Sequence, residues 1–162
     1  MAKPTDQSKW SHMFTDDIKF IQKAVVFHPE KNTFITIRRS FSDRYRPGSW
    51  DLPGGNVLYG ELYDVSLRRE IKEETNLNVK TILPAQVKTV FDGKLYIIFI
   101  GFSGRSKNDE VKLSTEHTEY QWVTEKQFSD LFRDNDTGGT FIENTHFLCQ
   151  LVNEVFSQKR QL

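Results

Sequence analysis

Apolar and polar residues alternate along this chain in two different periods, and the changes of period mark its elements. Ile18 to Phe27 and Thr33 to Arg38 are strand-like runs. They are joined by His28-Pro29-Glu30-Lys31-Asn32, a connector rich in turn formers, so a hairpin is predicted. Ser40 to Gly48 is a polar loop, and Trp50 to Leu52 a short strand. From Glu61 to Thr75 the period becomes helical. Leu67 and Ile71 lie four apart with Val65 near the same side, so one flank can pack while the acidic positions face outward. Val79 to Phe91 and Leu95 to Phe102 read as strands about an Asp92-Gly93 turn. Leu95-Tyr96-Ile97-Ile98-Phe99-Ile100 is almost wholly apolar and reads as a central strand buried on both faces. Glu119 to Val123 is another short strand, with Trp122 expected in the core. A helix capped by Thr124 is predicted to Phe132, then a loop Asp134 to Gly139, then a C-terminal helix from Phe141 to Phe156. This order predicts an α/β domain over 18–162, its mixed β-sheet sandwiched between helices. Residues 1–17 form a polar lead segment in which Trp10 and Phe14 could anchor.

Composition narrows the function classes. A chain of 162 residues is expected to form a single domain with a substantial core. Lys plus Arg and Asp plus Glu are 22 each, so no global field favours nucleic acid or a membrane surface, and neither partner is expected. Cys149, the one cysteine, cannot form an internal disulfide and falls in the apolar run Phe147 to Leu151, as a core thiol would. There is no apolar run of membrane length and no signal-like start. The expectation is a cytoplasmic protein, monomer or homodimer.

The chemistry is concentrated between Gly55 and Leu77, in the run Gly55-x5-Glu61-x7-Arg69-Glu70-Ile71-x-Glu73-Glu74-x-Asn76-Leu77. Residues three and four apart on a helix are neighbours, so Glu70, Glu73 and Glu74 bring carboxylates onto adjoining positions. Like charges at this spacing destabilise a helix, whereas a hard divalent cation turns them into a site. Mg²⁺ suits such a cluster, because it takes one or two carboxylates and completes its shell with water and substrate phosphates. Just upstream, Ser49-Trp50-Asp51-Leu52-Pro53-Gly54-Gly55 reads as a strand entering a Pro-Gly-Gly turn, where backbone can approach a ligand closely. The stretch resembles the signature of the Nudix hydrolases, with every fixed position filled but one. Asn76 stands where that family has its second glycine, and Asn is the residue other than glycine that best tolerates a left-handed helix stop.

The resemblance implies an α/β/α sandwich and a hydrolase that cleaves the pyrophosphate linkage of a nucleoside diphosphate derivative with a metal-activated water. Mg²⁺ is the implied cofactor, with Mn²⁺ able to substitute. By resemblance Glu70, Glu73 and Glu74 are the metal carboxylates, Gly54 offers its carbonyl and Glu70 is a candidate general base. Arg69 orients a carboxylate, and Glu61 stands behind the ligands. The segment Glu116-His117-Thr118-Glu119-Tyr120-Gln121-Trp122 resembles the Nudix stretch whose acid supplies a further ligand or base, and Glu119, nearer the strand, is favoured over Glu116. Arg38, Arg39 and Arg46, with Arg44, flank the short strand as candidates for substrate phosphate, and Gly55 allows close approach of the substrate. His28 and His117 read as loop histidines. Phe91, Tyr96 and Trp50 could stack on a base or belong to the core.

No Pro or Tyr of the ADP-ribose or dinucleoside polyphosphate subfamilies lies fifteen to eighteen residues past the motif, where Phe91 to Leu95 stand. Coenzyme A and NADH signatures are also absent. A (d)NTP or related small nucleotide, oxidised forms included, remains as substrate. The alternative is a catalytically idle Nudix domain acting as a nucleotide sensor or interaction module. An isomerase of the isopentenyl diphosphate type would need a dedicated Cys and His that are not evident.

Overall fold

The structure, a computed structural model, describes residues 18–91, 95–133 and 142–160. Along the chain run β1 (Ile18–Phe27), β2 (Phe34–Arg39), β3 (Trp50–Asp51), α1 (Tyr63–Thr75), β4 (Val79–Phe91), β5 (Tyr96–Ser106), β6 (His117–Val123), α2 (Glu125–Arg133) and α3 (Ile142–Arg160). The lead segment, the Asp92-Gly93 turn, the Asp134 to Gly139 loop and Phe141 lie outside the described residues.

The sheet order is β3-β2-β1-β5-β4, with β6 pairing β2. β1 and β5 are parallel through ten residue pairs from Ile18 with Tyr96 to Phe27 with Arg105, and the other strand pairs are antiparallel, so the sheet is mixed. Strand alternation divides the apolar residues between two cores. Val25, Phe27, Phe34 and Phe99 pack with α2 and α3 through Phe128, Phe147, Leu148 and Leu151. Ala24, Val26, Ile35, Ile37 and Phe102 pack on the other face against Leu67 and Ile71 of α1. The result is an α/β/α sandwich. Ile97 and Phe99 lean on one core and Ile100 and Phe102 on the other, so β5 meets both layers, but of the run Leu95 to Ile100 only Phe99 is fully buried, while Tyr96 is exposed and the rest are half-buried.

Several expectations shift locally. α1 starts at Tyr63 rather than Glu61, with Leu62 at its cap position and no side-chain cap, so Asp64 is the acid in the first turn. Val65 is exposed and Ser66 takes the buried position beside Leu67. Trp122 is half-buried against the α1-side core, and Cys149 is half-buried at the edge of the other. Thr124 caps α2 as expected: its Oγ1 accepts from Gln127 N–H, while the Gln127 side chain accepts from Thr124 N–H. Asn76 ends α1 at φ 64°, the left-handed stop anticipated for it. It is more than a backbone device, because its amide donates to the Glu110 carbonyl and its oxygen accepts from Lys72. Residues 107–116 dock on the end of α1 through Lys112 N–H to Thr75 O and Ser114 N–H to Glu74 O.

Candidate active site

The glycine turn of the site is seated on β1. Gln22 N–H donates to Gly55 O and Ala24 N–H to Pro53 O, both at 2.9 Å, which lays the Pro53-Gly54-Gly55 turn along the strand. Gly54 has φ 136°, and a side chain there would collide with the Gln22 carbonyl. At Gly55 a Cβ would lie 2.5 Å from the Glu70 carboxyl carbon, so the turn is pressed against the helix carboxylate. Only glycines allow this contact.

From the helix side, Glu70 and Glu74 reach the cleft. They are four apart, whereas successive residues diverge by about 100° around a helix, and Glu73 turns away. Its carboxylate, more than half exposed, takes Arg69 Nη1 at 3.0 Å. Arg69 also binds Glu70 at 3.0 Å and both oxygens of Glu61 at 2.9 and 3.1 Å. The hydrogen bonds from Arg69 hold the Glu61 carboxyl down to about 2. Three carboxylates facing outward were expected; instead two point into the cleft, and Glu74 is buried. Burial pushes the Glu74 carboxyl up to about 8, with Asp51 and Glu70 adding to the rise and Lys23 and the Gly54 N–H opposing it. That Gly54 N–H donates to Glu74 Oε2 at 2.8 Å.

Facing the carboxylates is a wall organised by Asp51. Its carboxylate is fully buried and takes Lys23 Nζ at 2.9 Å, Arg39 Nη1 at 3.5 Å and Arg46 Nη2 in close contact. Burial alone would raise its pKa, but Arg46, Lys23 and Arg39 together hold it well below the usual carboxylate range. Lys23 also donates to the carbonyls of Leu52 and Gly54. Arg39 pairs with Asp43, which accepts Tyr45 and Arg46 N–H at 2.9 and 2.7 Å and so folds the loop that carries Arg46. Burial again opposes, yet the Arg39 hydrogen bond and these amides hold Asp43 near 2.

Between the walls lies a cleft of about 770 Å³. It brings together Gly54, Gly55, Glu70, Glu74, Arg39 and Arg46 from the expected set, adds Lys19 and Lys23, and has an apolar side made by Ile21, Val90, Phe91, Leu95, Ile97 and Phe99. Arg38 and Glu119 are not part of it. They bind each other at 3.1 Å across β2 and β6, and Arg38 lies over the rings of Phe41 and Trp50. Glu116, the acid ranked second, lines the cleft instead. The order is reversed because strand pairing directs Glu119 to Arg38, whereas Glu116 precedes the strand. Trp50 is core and Tyr96 packs on Phe91 at the cleft's outer end. Arg44 lies over Tyr45.

Lys23, Asp51 and His117 were not anticipated. His117 is no loop histidine: its side chain is buried, Nδ1 lies 3.2 Å from Ser114 Oγ, and Nε2 lies 3.7 Å from Glu74 Oε1 without a hydrogen-bond partner. Burial lowers its pKa to about 4, so the ring is neutral. His28 is also buried, its Nδ1 accepting from Glu30 and Lys31 N–H. Among the described residues no three His, Cys, Asp or Glu side chains converge as a ready-made metal cage. Glu70 and Glu74 nevertheless fit Mg²⁺, which needs only one or two carboxylates beside water and substrate oxygens. A cation there would offset the burial that raises the Glu74 carboxyl.

A family model for the NUDIX domain matches residues 22–144. The chain belongs to the Nudix hydrolase family. It is 40% identical over 88 residues to nucleoside triphosphatase NudI of Escherichia coli O17:K52:H18, a match covering 48% of this chain. The chain spans 62% of the length of that relative. Among solved structures it is similar to the MutT protein of Methanosarcina mazei Go1, at 32% identity and a TM-score of 0.58, over 74% of this chain and 93% of that one. The Nudix hydrolase of Nitrosomonas europaea, only 14% identical, shares the fold with a TM-score of 0.68 over 87% of this chain and 90% of its own. No helix among the described residues is long and apolar enough to cross a membrane.

Proposed function

We propose that this protein is a Mg²⁺-dependent pyrophosphohydrolase whose substrate is a nucleoside triphosphate or a related small nucleotide. The observation that carries the reading is the pair Glu70 and Glu74, set against the Gly54-Gly55 turn and opposite the Lys23, Arg39 and Arg46 wall. Glu70 and Glu74 would hold the cation beside Gly54. A bound divalent ion neutralises charge on pyrophosphate oxygens and lowers the pKa of a coordinated water. Arg39 and Arg46 face the same space, already oriented by Asp51 and Asp43, and suit phosphate oxygens. Pre-oriented charges of this kind supply most of the catalysis in phosphoryl transfer. Glu116 is the cleft acid best separated from the ligand pair and is assigned the proton of the attacking water, with Glu70 as the other candidate. The apolar side is assigned the base, since rings stack on such surfaces without reading a specific edge. The NudI match supports a triphosphate as substrate.

A panel of ribo- and deoxyribonucleoside triphosphates, oxidised forms and diphosphate derivatives, assayed for pyrophosphate and phosphate release, tests the reading. At least one should turn over with Mg²⁺ or Mn²⁺, and none in excess chelator. Full turnover in chelator, or none on the panel with either metal, contradicts it; nucleotide binding without turnover would favour a sensor.

A further inference from the structure

Glu74 is approached from two sides. Gly54 N–H donates to Oε2, and His117 Nε2 lies 3.7 Å from Oε1. A carboxylate has about four lone-pair positions, so two donors leave the remainder free to face a cation. The imidazole engages Ser114 through Nδ1 and leaves Nε2 over. Its Nε2 is buried and has no hydrogen-bond partner, a costly arrangement unless some state of the molecule satisfies it. Movement of well under 1 Å would bring the pair within the usual range of about 2.7–3.2 Å.

The surroundings fix the ring for that contact. Ser114 Oγ lies 3.2 Å from Nδ1, and a hydroxyl donating there leaves the proton on Nε2, facing Glu74. His117 N–H donates to Ser114 O, and Ser114 N–H donates to the backbone carbonyl of Glu74. The helix residue, the loop serine and the first residue of β6 thus form one closed set.

We propose that His117 is a positioning residue for the metal site: its Nε2–H, with Ser114 fixing the tautomer, closes on Glu74 Oε1 and orients that carboxylate for the divalent cation. This rests on the reading of Glu74 as a cation ligand. Partners that orient a ligand in this way contribute about 10- to 100-fold in metal affinity.

Mn²⁺ binding to the full chain without nucleotide, followed by the electron paramagnetic resonance signal of the free ion, tests the proposal alongside melting temperatures in chelator. His117→Phe keeps the ring volume and removes the donor, so Mn²⁺ affinity should fall by about 10- to 100-fold. His117→Gln, which retains an N–H, should recover most of the loss. A Phe variant that binds Mn²⁺ like the wild type overturns the proposal, and so does a Gln variant as weak as Phe. If His117→Phe does not fold, Ser114→Ala decides: it should weaken Mn²⁺ binding, and unchanged affinity overturns the proposal. Wild-type protein that takes up no Mn²⁺ would instead sink the metal reading itself, and this inference with it.

Discussion

Asp51 and Glu74 are buried carboxylates flanking one cleft, and they are pushed in opposite directions. Asp51 has three cationic partners in Lys23, Arg39 and Arg46, and its pKa is held far below the ordinary range. Glu74 has one backbone N–H and a histidine just out of reach, and its carboxyl is pushed up to about 8. Burial acts on both, so the difference lies in the compensating charge. Asp51 is complete as it stands and serves to hold the arginines. On the proposed reading, Glu74 is completed by a cation.

Removing each charge breaks the comparison in a different way. Asp51→Asn leaves Lys23, Arg39 and Arg46 short of a counter-charge, and breaking such a network costs about 3–5 kcal/mol. Chemical denaturation should show that loss, and a variant within about 1 kcal/mol of wild type would mean that solvent reaches the network. Glu74→Gln should do the reverse. It should melt in chelator no lower than the wild type, because burial already favours the uncharged acid there and the amide matches it, while turnover falls by about 10²- to 10³-fold. Near-normal turnover in this variant would move the metal site elsewhere.

The two acids ahead of and within β6 sharpen the picture at a smaller scale. Glu116→Gln should lower turnover by more than about tenfold, toward the range of general bases. Glu119→Gln should leave turnover near normal and cost no more than an exposed ion pair, about 0.2–1 kcal/mol. The opposite ranking would restore Glu119 as the cleft acid. The smallest effect is expected at low pH. Asp43 titrates near 2 in the folded protein and near 4 when unfolded, so its stabilisation is complete above about pH 5 and is lost as pH falls from 4 toward 2. Asp51 acts in the same sense. Melting temperature against pH should therefore drop on this limb, and Asp43→Asn should flatten it; an unchanged slope would show that Arg39 does not hold Asp43 in solution.

The sequence carried the helix, its left-handed stop at Asn76 and the glycine turn, because each depends on neighbours within a few residues. Strand runs were legible for the same reason. The parallel pairing of β1 with β5 was not, since it depends on residues nearly eighty apart. That pairing and the Asp51 contact explain why Lys23 escaped notice: a lysine in a strand pattern gives no sign that its ammonium will meet Asp51 and two carbonyls. Helical spacing put Glu70, Glu73 and Glu74 together but could not say which would be buried. Arg69 took Glu73, and the turn at Gly54 took Glu74. His117 read as a loop residue because the strand was expected to begin at Glu119, whereas β6 begins at His117, which is buried beside the segment that docks on α1.

The most direct test of the contrast is the change in melting temperature on adding Mg²⁺ in place of chelator, near neutral pH and without nucleotide. A ligand that binds only the folded state stabilises it by RT ln(1 + [L]/Kd), about 2.7 kcal/mol at a hundredfold excess over Kd. For a domain of this size each kcal/mol is worth about 2–4 °C. The wild type should therefore rise by several degrees, and Glu74→Gln should rise little or not at all. An equal rise in both proteins, or none in the wild type, would contradict the claim that Glu74 is the buried carboxyl a cation completes.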